Sequence, residues 1–123
     1  MILNHMLSQS PSLDLTFQAL ADPTRRAMIE RLARSPASVS ELAKPFDMSL
    51  PAVLQHLAVL ESSGLVVSEK IGRVRTCRIE AQALSPAEQW INACRAEWEA
   101  RLDRLGTYLE ELKQQGGNDG SDR

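Results

Sequence analysis

Hydrophobic positions fall into three regimes along this chain: short segments at helical spacing, a brief strand-like stretch, and one long seam. Leu13, Leu15, Phe17 and Leu20 open the first helical segment, which is expected to end near Ala21. Asp22-Pro23 punctuates it, because the residue before proline avoids the helical region and proline is tolerated in a first helical turn. Ala27, Met28, Ile29 and Leu32 then predict a helix from Pro23 to Ala33, with Arg25, Arg26, Arg31 and Arg34 on its outer face. Residues 35–38 read as a loop, Ser40 as the cap of a short helix from Glu41 to Phe46, and Asp47-Met48 as a turn. Ser49 caps the next helix, Leu50 to Ser63, and Pro51 falls in its first turn, where a missing N–H costs nothing. Val53, Leu57 and Leu60 form the inward stripe of that helix, and Gly64 ends it.

Past Gly64 the period shortens. Residues 65–70 and 74–79 are β-prone runs on either side of Ile71-Gly72-Arg73, which predicts a hairpin with Gly72 at its tip. Ser85-Pro86-Ala87-Glu88 is a capping box with proline at the first helical position. It opens a helix expected to reach Gln114. Along it Ile91, Cys94, Trp98, Leu102, Leu105, Leu109 and Leu112 keep the three-and-four spacing of a coiled-coil seam. At 1.5 Å per residue such a helix is about 43 Å long, more than so small a domain can cover. The domain organisation is therefore a flexible N-terminus over 1–12, one domain over 13–114 whose last helix spans 86–114, and a disordered tail over 115–123.

Composition narrows the class. A chain of 123 residues has one domain's worth of material, and its core is small enough that a dimer interface would help it. With 43% hydrophobic and 4% aromatic residues it has the balance of an ordinary helical domain. No apolar run approaches a membrane span, and Met1 to Ser10 lacks the features of a signal peptide, so a cytoplasmic location and no membrane partner are expected. The net charge of -2 hides an asymmetry. Residues 22–78 hold nine Lys/Arg against six acids, whereas residues 79–123 hold five against nine. The middle of the chain is basic, as a nucleic-acid surface requires.

Two short helices, a tight turn, a capped second helix and then a hairpin are the order of a winged helix-turn-helix. The expected fold class is thus mainly α with a small β-hairpin and a long C-terminal dimerisation helix. The stretch LADPTRRAMIERLARSPASVSELAKPFDMSLPAVLQHLAVLESSGLVVSEKIGRVRTCRIE resembles the ArsR-type (ArsR/SmtB) bacterial repressors, and the resemblance covers roughly residues 13–112. Its most specific pieces are residues 20–26, residues 48–53 with Gln55-His56-Leu57, and Leu60-Glu61 with Gly64-Leu65-Val66. The resemblance implies a homodimeric repressor on an imperfect palindrome in double-stranded DNA. The family is usually released by a metal ion or another signal; here the effector is unknown.

With Val53, Leu57 and Leu60 turned inward, Ser49, Leu50, Pro51, Leu54 and Gln55 face outward near the helix N-terminus. Gln55 can pair bidentately with adenine, Leu50 or Leu54 can touch a thymine methyl, and Ser49 with the helix N-terminus can hold a phosphate. Leu54 stands where many family members have a small polar residue. Leu50 and Leu54 could instead pack on a neighbouring element. His56 reads either as a structural histidine or as a phosphate or base contact. Arg73 and Arg75 on the wing suit backbone or minor-groove contacts, with Lys70 and Arg78 as weaker candidates. Arg25 and Arg26 read as a solvated or ion-paired face. Leu13, Phe17, Ile91, Cys94, Trp98, Leu102, Leu105 and Leu109 are the expected dimer interface. Trp90, Trp98 and Tyr108 read as packing rather than a ligand box.

The stretch from Val39 to Met48 carries no Cys or His, and the last helix has no His and no spaced Asp pair, so no metal site and no cofactor are expected. Cys77 and Cys94 leave open a thiol-based redox-responsive repressor, although Cys94 on the seam also reads as a small buried hydrophobe. A protein-interaction module without DNA binding is the remaining alternative. No nucleophile elbow, P-loop or HExxH motif is present, so an enzyme is not expected.

Overall fold

The structure is a computed structural model that describes the backbone of residues 11–121 and the side chains of residues 12–116. Most of the expected N-terminal segment 1–12, and the last two residues of the expected tail, lie outside the described residues. The chain divides into two compact units, one up to Ala87 and one from Glu88 onward.

In the first unit, α1 (Pro11–Leu20) is followed by α2 (Pro23–Arg34). Asp22 caps α2 by accepting the Arg25 backbone N–H at 3.0 Å, with Pro23 in the first turn as its locked φ favours. A two-residue strand β1 (Ala37–Ser38) then leads into α3 (Val39–Ala43). The residue that caps α3 is Ser38, two positions before the expected Ser40. Its hydroxyl accepts the Glu41 N–H at 3.1 Å, and Glu41 accepts in return from the Ser38 N–H and Oγ. The reason is reciprocity: Glu41 at the third helical position completes a capping box only with Ser38. α4 runs Leu50–Ser62, with Ser49 as its cap.

β2 (Val66–Ile71) and β3 (Val74–Ile79) form the predicted hairpin, turned by Gly72-Arg73. Gly72 sits at φ 64, the left-handed backbone that a two-residue turn with glycine first requires. β1 pairs with β3 at Ala37↔Cys77 and Ser38↔Thr76, so the sheet has three strands in the order β1-β3-β2. A short 3-10 turn (Ala81–Leu84) precedes α5 (Ser85–Ser121). Gly64, at φ 81, ends α4 and lets the chain turn into the sheet.

One core holds this unit together. Met28 and Leu32 of α2, Leu42 of α3, Val53, Leu57 and Leu60 of α4, and Leu65, Val66 and Cys77 of the wing root are all buried in it. The predicted inward stripe of α4 is fully buried, so its opposite face is fixed outward. Arg25 and Arg26 have structural partners that the chain order hides. Arg25 donates to the Gln18 and Ala19 carbonyls at 2.8 and 2.9 Å, and Arg26 donates to the Leu20 carbonyl at 2.7 Å. These are last-turn carbonyls of α1, which have no intrahelical donor, and cations there also complement the helix dipole.

The second unit is the body of α5. The helix boundary expected near Gln114 lies at Ser121 instead. Gly116 and Gly117 weaken a helix but keep their N–H groups, unlike proline, so they do not force its end. Ile91, Trp98, Leu102, Leu105, Leu109 and Leu112 are all exposed in the single chain, between 40% and 62%. Cys94, expected to be buried on this seam, is exposed too. A Glu97–Arg101 ion pair at 3.3 Å, one turn apart, sits on the same helix. Among the described residues no helix is long and apolar enough to cross a membrane.

Candidate nucleic-acid interface

The outer face of α4 is the candidate surface for a duplex. Ser49 Oγ accepts the Ala52 N–H at 3.3 Å, which fixes where the helix begins. Leu50 is 55% exposed and Leu54 37%, and Pro51 and Gln55 are also exposed. These residues occupy the first turn and a half, the part of a recognition helix that reaches base edges. Both leucines keep exposed surface in the single chain, Leu50 more than Leu54.

His56 is turned partly inward. Its side chain is 23% exposed, and its Nδ1 lies 3.2 Å from Arg25 Nη1 and 3.8 Å from Asp22 Oδ2. The first is a hydrogen bond and the second is too long for one. The backbone N–H of Arg25 holds the Asp22 carboxyl below its ordinary range, helped by the Arg25 guanidinium and by His56 whenever that ring is protonated.

The wing divides its arginines. In an antiparallel pair, residues opposite each other share a face, and the register pairs Ser68 with Cys77 and Lys70 with Arg75. Arg75 therefore lies on the inner face with buried Cys77. Its Nη2 donates to Glu61 in the last turn of α4, and the Ser68 hydroxyl donates to the same carboxylate oxygen. Sequence reading grouped Arg73 with Arg75, but the structure ties Arg75 to α4 and leaves Arg73 exposed at the tip, with no ion pair among the described residues. Arg78 pairs with Glu80 at 3.2 Å. Ile71 and Val74, paired across the tip, are 64% and 50% exposed.

Of the expected interface residues, Leu13 is 4% exposed in the single chain and can add little area to a contact with a second copy, because its surface is already covered. Phe17 is half-buried. Leu15, on the same helix, is the exposed one at 39%. Burial pushes the Cys77 thiol above its ordinary value, which disfavours the reactive thiolate and counts against it as a sensor. Among the described residues no three His, Cys, Asp or Glu side chains gather as a metal site would need.

Comparison with known proteins agrees with this geometry. A helix-turn-helix domain family model matches residues 20–69. The HTH-type transcriptional regulator Rv2034 of Mycobacterium tuberculosis is 44% identical over 79 residues, covering 64% of this chain and 74% of the relative. The HTH-type transcriptional repressor SmtB of the same organism is 39% identical over 56 residues, covering 46% of this chain and 42% of that one. The crystal structure of an ArsR family transcriptional regulator shares 53% identity at a TM-score of 0.69, covering 72% of this chain and 91% of the other. A matching fold, a helix-turn-helix with its outer face bare, and relatives at this identity and coverage lead to one conclusion: the chain belongs to the ArsR family of helix-turn-helix transcriptional regulators, which bind DNA and are not enzymes.

Proposed function

We propose that the protein is a repressor that acts as a homodimer on an imperfect palindrome. The observation that carries this reading is the bare outer face of α4, set against an inner stripe that is fully buried. Two copies would place their α4 helices in successive major grooves about 34 Å apart. In each, Gln55 reads an adenine, Leu50 and Leu54 with Pro51 contact thymine methyls and sugar, and Ser49 with the helix N-terminus holds a phosphate. His56 and Arg73 add backbone contacts. The copies join along the exposed seam Ile91, Cys94, Trp98, Leu102, Leu105 and Leu109, because so long an apolar stripe is stable in water only when covered.

Selection from a random duplex library tests this directly. A two-fold symmetric site with half-sites about one helical turn apart is expected. Gln55→Ala should then weaken binding to that site by about 1–3 kcal/mol and relax base preference at one position per half-site. Recovery of no symmetric site, or equal losses on selected and random DNA, refutes the reading.

A further inference from the structure

We propose that Arg25 is a positioning residue for DNA binding, because it fixes His56 in the tautomer that carries its proton on Nε2. The inference rests on the reading of α4 as the DNA-facing helix. A guanidinium has only donors and keeps its proton throughout the physiological range, so the Nδ1 it touches at 3.2 Å must be the accepting nitrogen. A neutral imidazole with an accepting Nδ1 carries its hydrogen on Nε2. Asp22 Oδ2, at 3.8 Å, is too far to claim a proton on Nδ1 instead. Arg25 is itself anchored, since its Nε and Nη2 donate to the Ala19 and Gln18 carbonyls.

The other ring nitrogen is left without a protein partner among the described residues. Nε2 makes no hydrogen bond there and is not one of their buried unpartnered atoms, and the side chain keeps 23% of its surface exposed. His56 follows Gln55 on α4, beside the face that would approach the duplex. A phosphate oxygen only accepts, so an Nε2 that carries hydrogen attracts it, and an Nε2 with a lone pair repels it. The α1 carbonyls hold Arg25, Arg25 holds the ring, and the ring presents a donor without adding a charge. The Asp-Pro-Thr-Arg segment that opens α2, with Arg25 31 residues before His56, thus helps to set the chemistry of α4.

Nitrogen-15 NMR of the full chain reads the tautomer without DNA, at a pH above the ordinary histidine value of about 6.5. A His56→Gln sample separates its signals from those of His5. The expected result is a pyrrole-type Nε2 and a pyridine-type Nδ1 in wild type, and averaged shifts from both tautomers in Arg25→Ala. A wild-type mixture, or a proton on Nδ1, overturns the proposal. Arg25→Lys guards against loss of fold: it keeps a donor toward α1 and should move the shifts less than alanine does. The donor role is read on a random-sequence duplex at low salt. His56→Ala should lose about tenfold in affinity, roughly one hydrogen bond to a charged group, while His56→Gln, whose amide can donate from a similar place, should lose less than threefold. Arg25→Ala should weaken binding in wild type but add nothing on top of His56→Ala. Additive losses overturn the coupling. If wild type binds no duplex at all, the repressor reading falls and the donor role with it, whereas the NMR result still decides the tautomer.

Discussion

Replacing Arg73 and Arg75 with alanine one at a time separates two jobs given to the same residue type on one hairpin. Each phosphate neutralised by a protein cation contributes about 0.9 to the slope of log affinity against log salt. A dimer presents two wings, so Arg73→Ala should lower that slope by about 1.8. Between about 50 and 200 mM salt this corresponds to about a twelvefold smaller loss of binding than wild type suffers. Arg75 starts from a different position, because its guanidinium already donates to Glu61. Its removal should change the slope by less than about 0.5. The cost should appear in stability instead, and there it is small: the two side chains are 42% and 27% exposed, and pairs this open contribute about 0.2–1 kcal/mol. Fluorescence anisotropy across a salt series and urea melts measure the two quantities. Equal slope losses for the two variants would refute the division, since Arg75 would then have left Glu61 for a phosphate. An unchanged slope in Arg73→Ala would remove the tip from the interface.

Three further outcomes follow from the geometry. Ser38→Ala should cost about 0.5–2 kcal/mol in a urea melt, whereas Ser40→Ala should be near neutral, because only Ser38 caps α3. Leu102→Glu combined with Leu105→Glu should give monomers in sedimentation velocity and abolish binding to a two-fold site, by placing charges on the exposed seam; a dimer that survives both changes would move the interface elsewhere. The Asp22 carboxyl is held below its ordinary value of 3.8, so its contribution is present above that pH and is lost as pH falls through the lower folded value. Asp22→Asn should therefore flatten the acid limb of the melting temperature below about pH 4, and an unaltered limb would assign it to other carboxylates.

α4 was legible because its signals are local. Ser49, Pro51, the Val53, Leu57 and Leu60 stripe, and Gly64 all act within a few residues of one another, and each behaves as the chain order suggests. The hairpin tip was legible for the same reason, since glycine alone announces the left-handed turn. What escaped was set by partners distant in the chain. β1 is two residues long and has no periodicity to detect; it exists because β3 offers it an edge. Arg25 and Arg26 looked like a solvated face, because nothing in their own helix shows that the carbonyls of α1 wait behind them. Glu61 entered the sequence reading only as part of the resemblance, with no hint that from the last turn of α4 it fixes Arg75 and Ser68 of the wing. Arg73 and Arg75 are indistinguishable by spacing, and only the strand register separates them.

The brevity of β1 has a mechanical result. Its two residues brace β3 at Thr76 and Cys77 and no further toward the tip, so the ribbon changes from three strands to two just beyond that point. Two-stranded ribbons are weakly held by themselves. The inner stretch is braced by β1, while the outer one is held only by its partner strand and by the Arg75 bond to Glu61. On the proposed DNA-bound dimer, a tip supported in this way could adjust to a groove of varying width while the core that carries α4 stays as it is.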